Sequence, residues 1–177
     1  MAGKIDARLK ELGIELPQAA SPAANYVPYA VSGNLVFVAG QVPFWNGELK
    51  YIGRLGHDTD IETGQAAART CALNIIAQVR AACGGDLDRV KRIVKIGVFI
   101  NSTQDFDKQP VVANGASDLL VEIFGDAGRH AALGCQEGRA SEKRVSAGSN
   151  LSSTSPVGPF LFFAHITRAS FWSASEL

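Results

Sequence analysis

Two hydrophobic periods that no single element can satisfy alternate between residues 60 and 125, and this alternation constrains the fold more than any other feature. In the segment 60–83, Ala68, Ala72, Ile75, Ile76, Val79 and Cys83 form one helical stripe, while Arg69, Asn74, Gln78 and Arg80 fall away from it. Asp60 is a fitting N-cap, and Gly84-Gly85 stops the helix. The period then changes to two. In "RIVKIGVFIN", Val94, Ile96, Val98 and Ile100 take one face and Ile93, Lys95, Gly97 and Phe99 the other, which predicts a central strand. A second long helix begins near Pro110, with Val112, Ala116, Leu119, Leu120 and Ile123 as its buried stripe, and Gly125 closes it. Two long helices with one apolar stripe each, separated by a strand, predict an α+β layer in which both helices cover one face of a mixed sheet.

The chain before residue 60 supplies the rest of that sheet. Ile5, Leu9 and Leu12 predict a short amphipathic helix ended by Gly13, and "LPQAASPAANY" reads as an extended connection. "YVPYAVSGNLVFVAGQVP" holds two β-rich runs around Ser32-Gly33-Asn34 and predicts a hairpin, and "ELKYIG", after Asn46-Gly47, predicts a third short strand. The alternation ends at His130. "CQEGRASEKR" is polar and "VSAGSNLSSTSP" is Ser-rich, and only "FLFFAHI" at 160–166 has the composition of a late strand. The organisation expected is a helix and connection over 1–19, one domain over 20–130 and an atypical tail over 131–177.

Charge and cysteine content narrow the function. Lys plus Arg and Asp plus Glu both number 17, so no global field favours nucleic acid or an anionic membrane. The three cysteines form no CxxC pair, which points to a reducing, cytoplasmic setting. The N-terminus carries charges throughout, unlike a secretory signal, and "FLFFA" is far shorter than the roughly 20 residues a membrane helix needs. His57, His130 and His165 are scattered without metal-ligand spacing and read as surface or satisfied histidines; neither metal nor cofactor is expected.

"NYVPYAVSGNLVFVAGQVP", "GQAAARTCALNIIAQV", "LDRVKRIVKIGVFINSTQDF" and "ANGASDLLVEIFGDAGRHA" together resemble the RidA/YjgF family, also called the endoribonuclease L-PSP family. The resemblance is greatest to its branch with an added N-terminal helix, and it covers about residues 5 to 131. It implies a chorismate-mutase-like α+β fold and a homotrimer with ligand clefts between subunits. It also implies hydrolysis of reactive enamines and imines, such as 2-aminoacrylate, to 2-keto acids and ammonia. The ligand expected is then a 2-imino or 2-keto acid.

The family's site residues carry over unevenly. Tyr26 matches a Tyr that lines the cleft; packing at a strand start is its other reading. Gly40 and Gln41 match the family's "SGQ" turn, with Ala39 where many members have Ser. Asn114 aligns with an Asn near the cleft, and equally suits a polar helix surface. The arginine that meets the ligand carboxylate has no counterpart after "GRHA", nor has the glutamate of the last strand. A guanidinium grips a planar carboxylate with two parallel hydrogen bonds, and charge-assisted bonds contribute about 1.5–3 kcal/mol. Arg139, in "GRAS", either re-supplies that clamp or is a solvated tail residue. The catalytic residues are therefore open. Three functions compete: imine hydrolysis, a non-catalytic trimeric small-molecule binding or interaction protein, and ribonuclease activity, against which the neutral charge and the lack of a basic stripe weigh.

Overall fold

Helix α2 (Ile61–Ala82) is the centre of the molecule, and its start is fixed locally: the Asp60 carboxylate accepts from the Thr63 backbone N–H at 2.7 Å. We describe residues 3–19, 21 and 25–130 from a computed structural model, together with the backbone of 131–137. The expected stripe of α2 is buried, but so are Thr70, Asn74 and Gln78. The two amides assigned to the outer face therefore point inward. The reason is enclosure: α3 (Gln109–Phe124) packs against α2 from one direction, and the strands β1 (Tyr29–Ser32), β2 (Leu35–Val38) and β3 (Phe44–Trp45) from another.

Helix α3 starts one residue before Pro110 and buries Val112, Ala116, Leu119, Leu120 and Ile123, the predicted stripe. The two long helices approach closely at Gly115, where an added Cβ would lie 2.2 Å from the Gln65 carbonyl oxygen. A mid-helix glycine, which costs helix propensity, is what this contact requires. Beside it the Gln65 side-chain amide donates to the Val111 carbonyl at 2.9 Å.

Strand β5 (Lys95–Ile100) buries Ile96, Val98 and Ile100 and leaves Lys95 exposed, as the period of two predicts. Ile93 is buried as well, although the alternation places it on the opposite face. It precedes the strand, and its N–H donates to the Ala127 carbonyl at 2.7 Å, so it follows the path of that turn and not the pleat.

The chain does not leave the fold at Ala131. Residues Ala131–Glu137 form strand β6, which pairs in parallel with β5 from Lys95↔Ala131 to Ile100↔Glu137, with an irregularity between Lys95 and Gly97. The Ser-rich stretch, the 160–166 segment and Arg139 lie outside the described residues.

The hairpins follow their turn residues. β1 and β2 pair antiparallel around Gly33, whose φ of +55 suits the first central position of a two-residue turn. The third strand is half of a second hairpin, in which β4 (Glu48–Leu49) pairs with β3 around Asn46 and Gly47, both at positive φ as a type I′ turn demands. Parallel and antiparallel pairs thus coexist, as in a mixed sheet, and pairing among the described residues falls into three two-stranded units. Helix α1 (Lys4–Glu11) packs on α3 and on the 3-10 turn Leu87–Arg89. It buries Leu9, and its first N–H groups, on Lys4 and Ile5, donate to the Asp88 carboxylate at 2.6 and 2.8 Å.

Candidate functional site

Strand β2 carries the chain from buried Val38 into the half-buried turn Ala39-Gly40-Gln41. The turn is held at both ends. Ala39 N–H donates to the Pro28 carbonyl at 2.9 Å, tying it to the segment that holds Tyr26 and Val27. The Gln41 side-chain amide folds back to donate to the Ala39 carbonyl at 2.9 Å, so this polar group is committed to closing the turn. Tyr26 is 49% exposed and Val27 61%, so Tyr26 is not packed as a core residue in the single chain.

The residue that fixes the far side of the turn is Asn74, which the helical periodicity places away from the apolar stripe. It is buried in α2, and its side-chain NH2 donates to the carbonyls of Phe44 at 2.7 Å, Val42 at 3.3 Å and Thr70 at 3.1 Å. Two hydrogens serve three carbonyls, so the amide is fully used. The signal was an amide set among apolar neighbours in "CALNIIA". Its meaning depended on β3 lying across α2, which periodicity does not show.

Of the residues chosen from sequence, Ala39, Gly40 and Gln41 are therefore one unit, joined through Pro28 to the Tyr26 segment. Asn114 is exposed on α3 and takes no part in the hydrogen bonds of that turn. Arg139 falls outside the described residues. Two open clefts occur elsewhere. One, of about 450 Å³, lies between α1 and α3 and is lined by Ile5, Arg8, Glu122 and Phe124 among others. The other, of about 270 Å³, is lined by Leu16, Pro17, Ala77 and Arg80 among others. Neither lining includes a residue chosen from sequence.

The ionisable groups restrict the chemistry. Cys71 is a free, buried thiol that burial pushes well above its ordinary pKa, and burial also raises Cys83, so neither supplies a thiolate nucleophile at neutral pH. Asp58 is held below the usual range chiefly by the Arg54 backbone N–H and is ionised. His130, half-buried at the start of β6, has both ring nitrogens engaged, Nδ1 with the Gly128 carbonyl at 3.0 Å and Nε2 with the Ser117 hydroxyl at 3.2 Å. Among the described residues no three His, Cys, Asp or Glu side chains gather as a metal site, and no helix is long and apolar enough to cross a membrane.

Comparison with known proteins agrees with this arrangement. Residues 6–137 match the family described as "YjgF/chorismate_mutase-like, putative endoribonuclease", a span that ends where β6 ends. Protein TCP17 of Trypanosoma cruzi is 51% identical over 131 residues, which make up 73% of this chain and 81% of that protein. The crystal structure of Atu1372 from Agrobacterium tumefaciens, of unknown function, is 36% identical with a TM-score of 0.73, covering 93% of this chain and 90% of its own. The crystal structure of a Shewanella oneidensis protein described as a "putative endoribonuclease" is 34% identical with a TM-score of 0.77, covering 93% of this chain and 98% of its own. With residues 6–137 matched and its helices and strands those of the fold, the chain belongs to the YjgF/chorismate mutase-like family.

Proposed function

We propose that this protein hydrolyses reactive enamine and imine intermediates, such as 2-aminoacrylate, to 2-keto acids and ammonia. The reaction takes place in the cytoplasm, in clefts between the subunits of a homotrimer, with no metal or cofactor. The observation that carries this reading is the Ala39–Gln41 turn. Asn74 and Pro28 fix its backbone, yet one chain leaves it only half-buried beside an exposed Tyr26. A rigid wall without its opposite wall is what a cleft shared between copies needs.

The outer face of the hairpin supports the same assembly. Val36 and Val38 face the core, so by alternation Leu35 and Phe37, both half-buried, face away from it. Val27, Phe44 and Ile52 add exposed apolar surface elsewhere on the single chain.

The chemistry asks little of the protein beyond orientation. Water adds to the imine carbon to give a carbinolamine, the C–N bond breaks, and ammonia leaves as the carbonyl forms. A fixed turn that holds the imine in reach of one ordered water shortens the search for reactive geometry. Backbone groups around Gly40 and the exposed side chains of Tyr26 and Asn114 orient the ligand, and Arg139 is the candidate clamp for its carboxylate.

One observation favours a second reading, a binding protein of the same fold without catalysis. Strand β6 contains no arginine from Ala131 to Glu137, so the fold proper supplies no carboxylate clamp there. A coupled assay separates the two: a serine or cysteine lyase generates 2-aminoacrylate, and pyruvate release is followed with and without the protein. Acceleration that falls about tenfold or more in Arg139→Ala, the scale of one lost charge-assisted contact, supports the enzyme and its clamp. Folded trimer that gives no acceleration refutes it in favour of the binding protein. Ribonuclease activity is not proposed, because the chain has no net charge at neutral pH to hold a polyanion.

A further inference from the structure

The contact between Ser117 and His130 does more than satisfy a histidine. A backbone carbonyl only accepts, so the Gly128 oxygen, 3.0 Å from Nδ1, assigns the ring proton of a neutral His130 to Nδ1. The lone pair of Nε2 is then directed at the Ser117 hydroxyl, 3.2 Å away, which donates to it. A hydroxyl donating to an imidazole whose other nitrogen is anchored is the arrangement of a serine with its general base. Ser117 also lies three residues after the exposed Asn114 on α3, so the two share a helix face, and both Ser117 and His130 are only half-buried.

We infer that Ser117 and His130 form a proton relay that activates the hydrolytic water; this rests on the imine-hydrolysis reading above. The water oxygen bonds to the carbon of the protonated imine while one water proton passes to Ser117 Oγ and the serine proton passes to His130 Nε2. The product of that step is the neutral carbinolamine. His130 returns the proton through Ser117 to the carbinolamine nitrogen, the C–N bond breaks, and the hydroxyl proton leaves with the nitrogen as ammonium while the 2-keto acid forms. Protons balance, and no oxidant or further reactant is consumed.

The test measures turnover and binding separately in the full-length protein. Turnover is read in the lyase-coupled assay, and binding by calorimetry with 2-ketobutyrate as a stable 2-keto acid. His130→Asn keeps an N–H that can reach the Gly128 carbonyl but cannot take up a proton, and Ser117→Ala removes the donor. Both are expected to lower kcat by about a hundredfold, the lower end of general-base contributions. The Kd for 2-ketobutyrate should stay within about twofold and the melting temperature should hold, as for a group that acts on the reaction more than on ground-state binding. Ser117→Thr should keep most of the rate, and added imidazole should restore part of it to His130→Ala. If the wild type accelerates hydrolysis and His130→Asn and Ser117→Ala match its kcat, the relay is overturned while imine hydrolysis stands. Equal losses of rate, binding and melting temperature without imidazole rescue make the pair structural and also overturn the relay. A folded wild type that gives no acceleration brings down imine hydrolysis first, and the relay with it.

Discussion

At the scale of single residues, Asn74 links the core to the candidate site. Its amide holds the Val42 and Phe44 carbonyls, and these fix the strand that leaves the Gly40-Gln41 turn. Asn74→Ala leaves those part-buried carbonyls without their donor, at about 1–3 kcal/mol for each group that water cannot reach. We expect a lower urea midpoint, and in the lyase-coupled assay a loss that persists at temperatures where the variant is fully folded. A variant with wild-type stability and rate would show that the turn holds itself. Gly115 sits at the opposite extreme, where the absence of a side chain is the feature. An added Cβ would meet the Gln65 carbonyl at 2.2 Å, so Gly115→Ala forces α2 and α3 apart and should destabilise by about 1–3 kcal/mol despite the better helix propensity of alanine. Chemical denaturation decides it, since propensity alone predicts a gain. Neither role is legible from residue type: the amide falls off the apolar stripe, and nothing in the helical pattern singles out the glycine. Both depend on what the fold brings alongside.

At the scale of elements, the acidic caps and loops give the protein a defined response to acid. Asp60 is held below the ordinary aspartate range first by the Thr63 backbone N–H, and Asp58 first by that of Arg54. A carboxyl whose pKa is depressed on folding contributes stability that is fully present above its unfolded pKa, about 3.9, and is lost as pH falls through the folded value. The melting temperature should therefore decline as pH drops below about 4, and the Asp60→Asn, Asp58→Asn double variant should flatten that decline. An unchanged acid slope would mean that other carboxylates govern it. Helix α1 makes a second case. Asp88 caps its first turn across the fold, the Arg80–Asp6 ion pair spans 3.3 Å, and Arg8 Nε donates to the Glu122 carbonyl at 3.1 Å. Asp88→Ala should release α1, giving faster amide exchange in residues 4–11 while α2 stays protected. Sequence showed that this helix exists, through Ile5, Leu9 and Leu12. It did not show the cap, because Asp88 is remote in the chain.

For the whole molecule the question is assembly. A single chain exposes Val27, Val31, Phe44 and Ile52 and leaves Leu35 and Phe37 half-covered on the face turned from the helices. Association of three copies through that face would remove Leu35 and Phe37 from water and bring a second wall to the Ala39–Gln41 turn. Light scattering should give the mass of a trimer, and Phe37→Glu, which places a charge on that outer face, should yield monomers that lose imine hydrolysis together with assembly. A monomeric wild type that is fully active would place the whole site within one chain.

Sequence alone determined the elements whose cause is local. The two helical stripes, the alternation in "KIGVFI", Asp60 as a cap and the Gly33 and Asn46-Gly47 turns each depend on neighbours within a few residues, and each is found where it was read. Tertiary structure decided what depends on distant partners. It turned Asn74 and Gln78 inward, because α2 is enclosed by α3 and by the hairpin strands. It made a strand of Ala131–Glu137, whose small and polar residues carry little β signal, because β5 offers its parallel edge to them. It also set His130, just before β6, against Ser117 of α3, a pairing across a helix and a turn that no periodicity encodes.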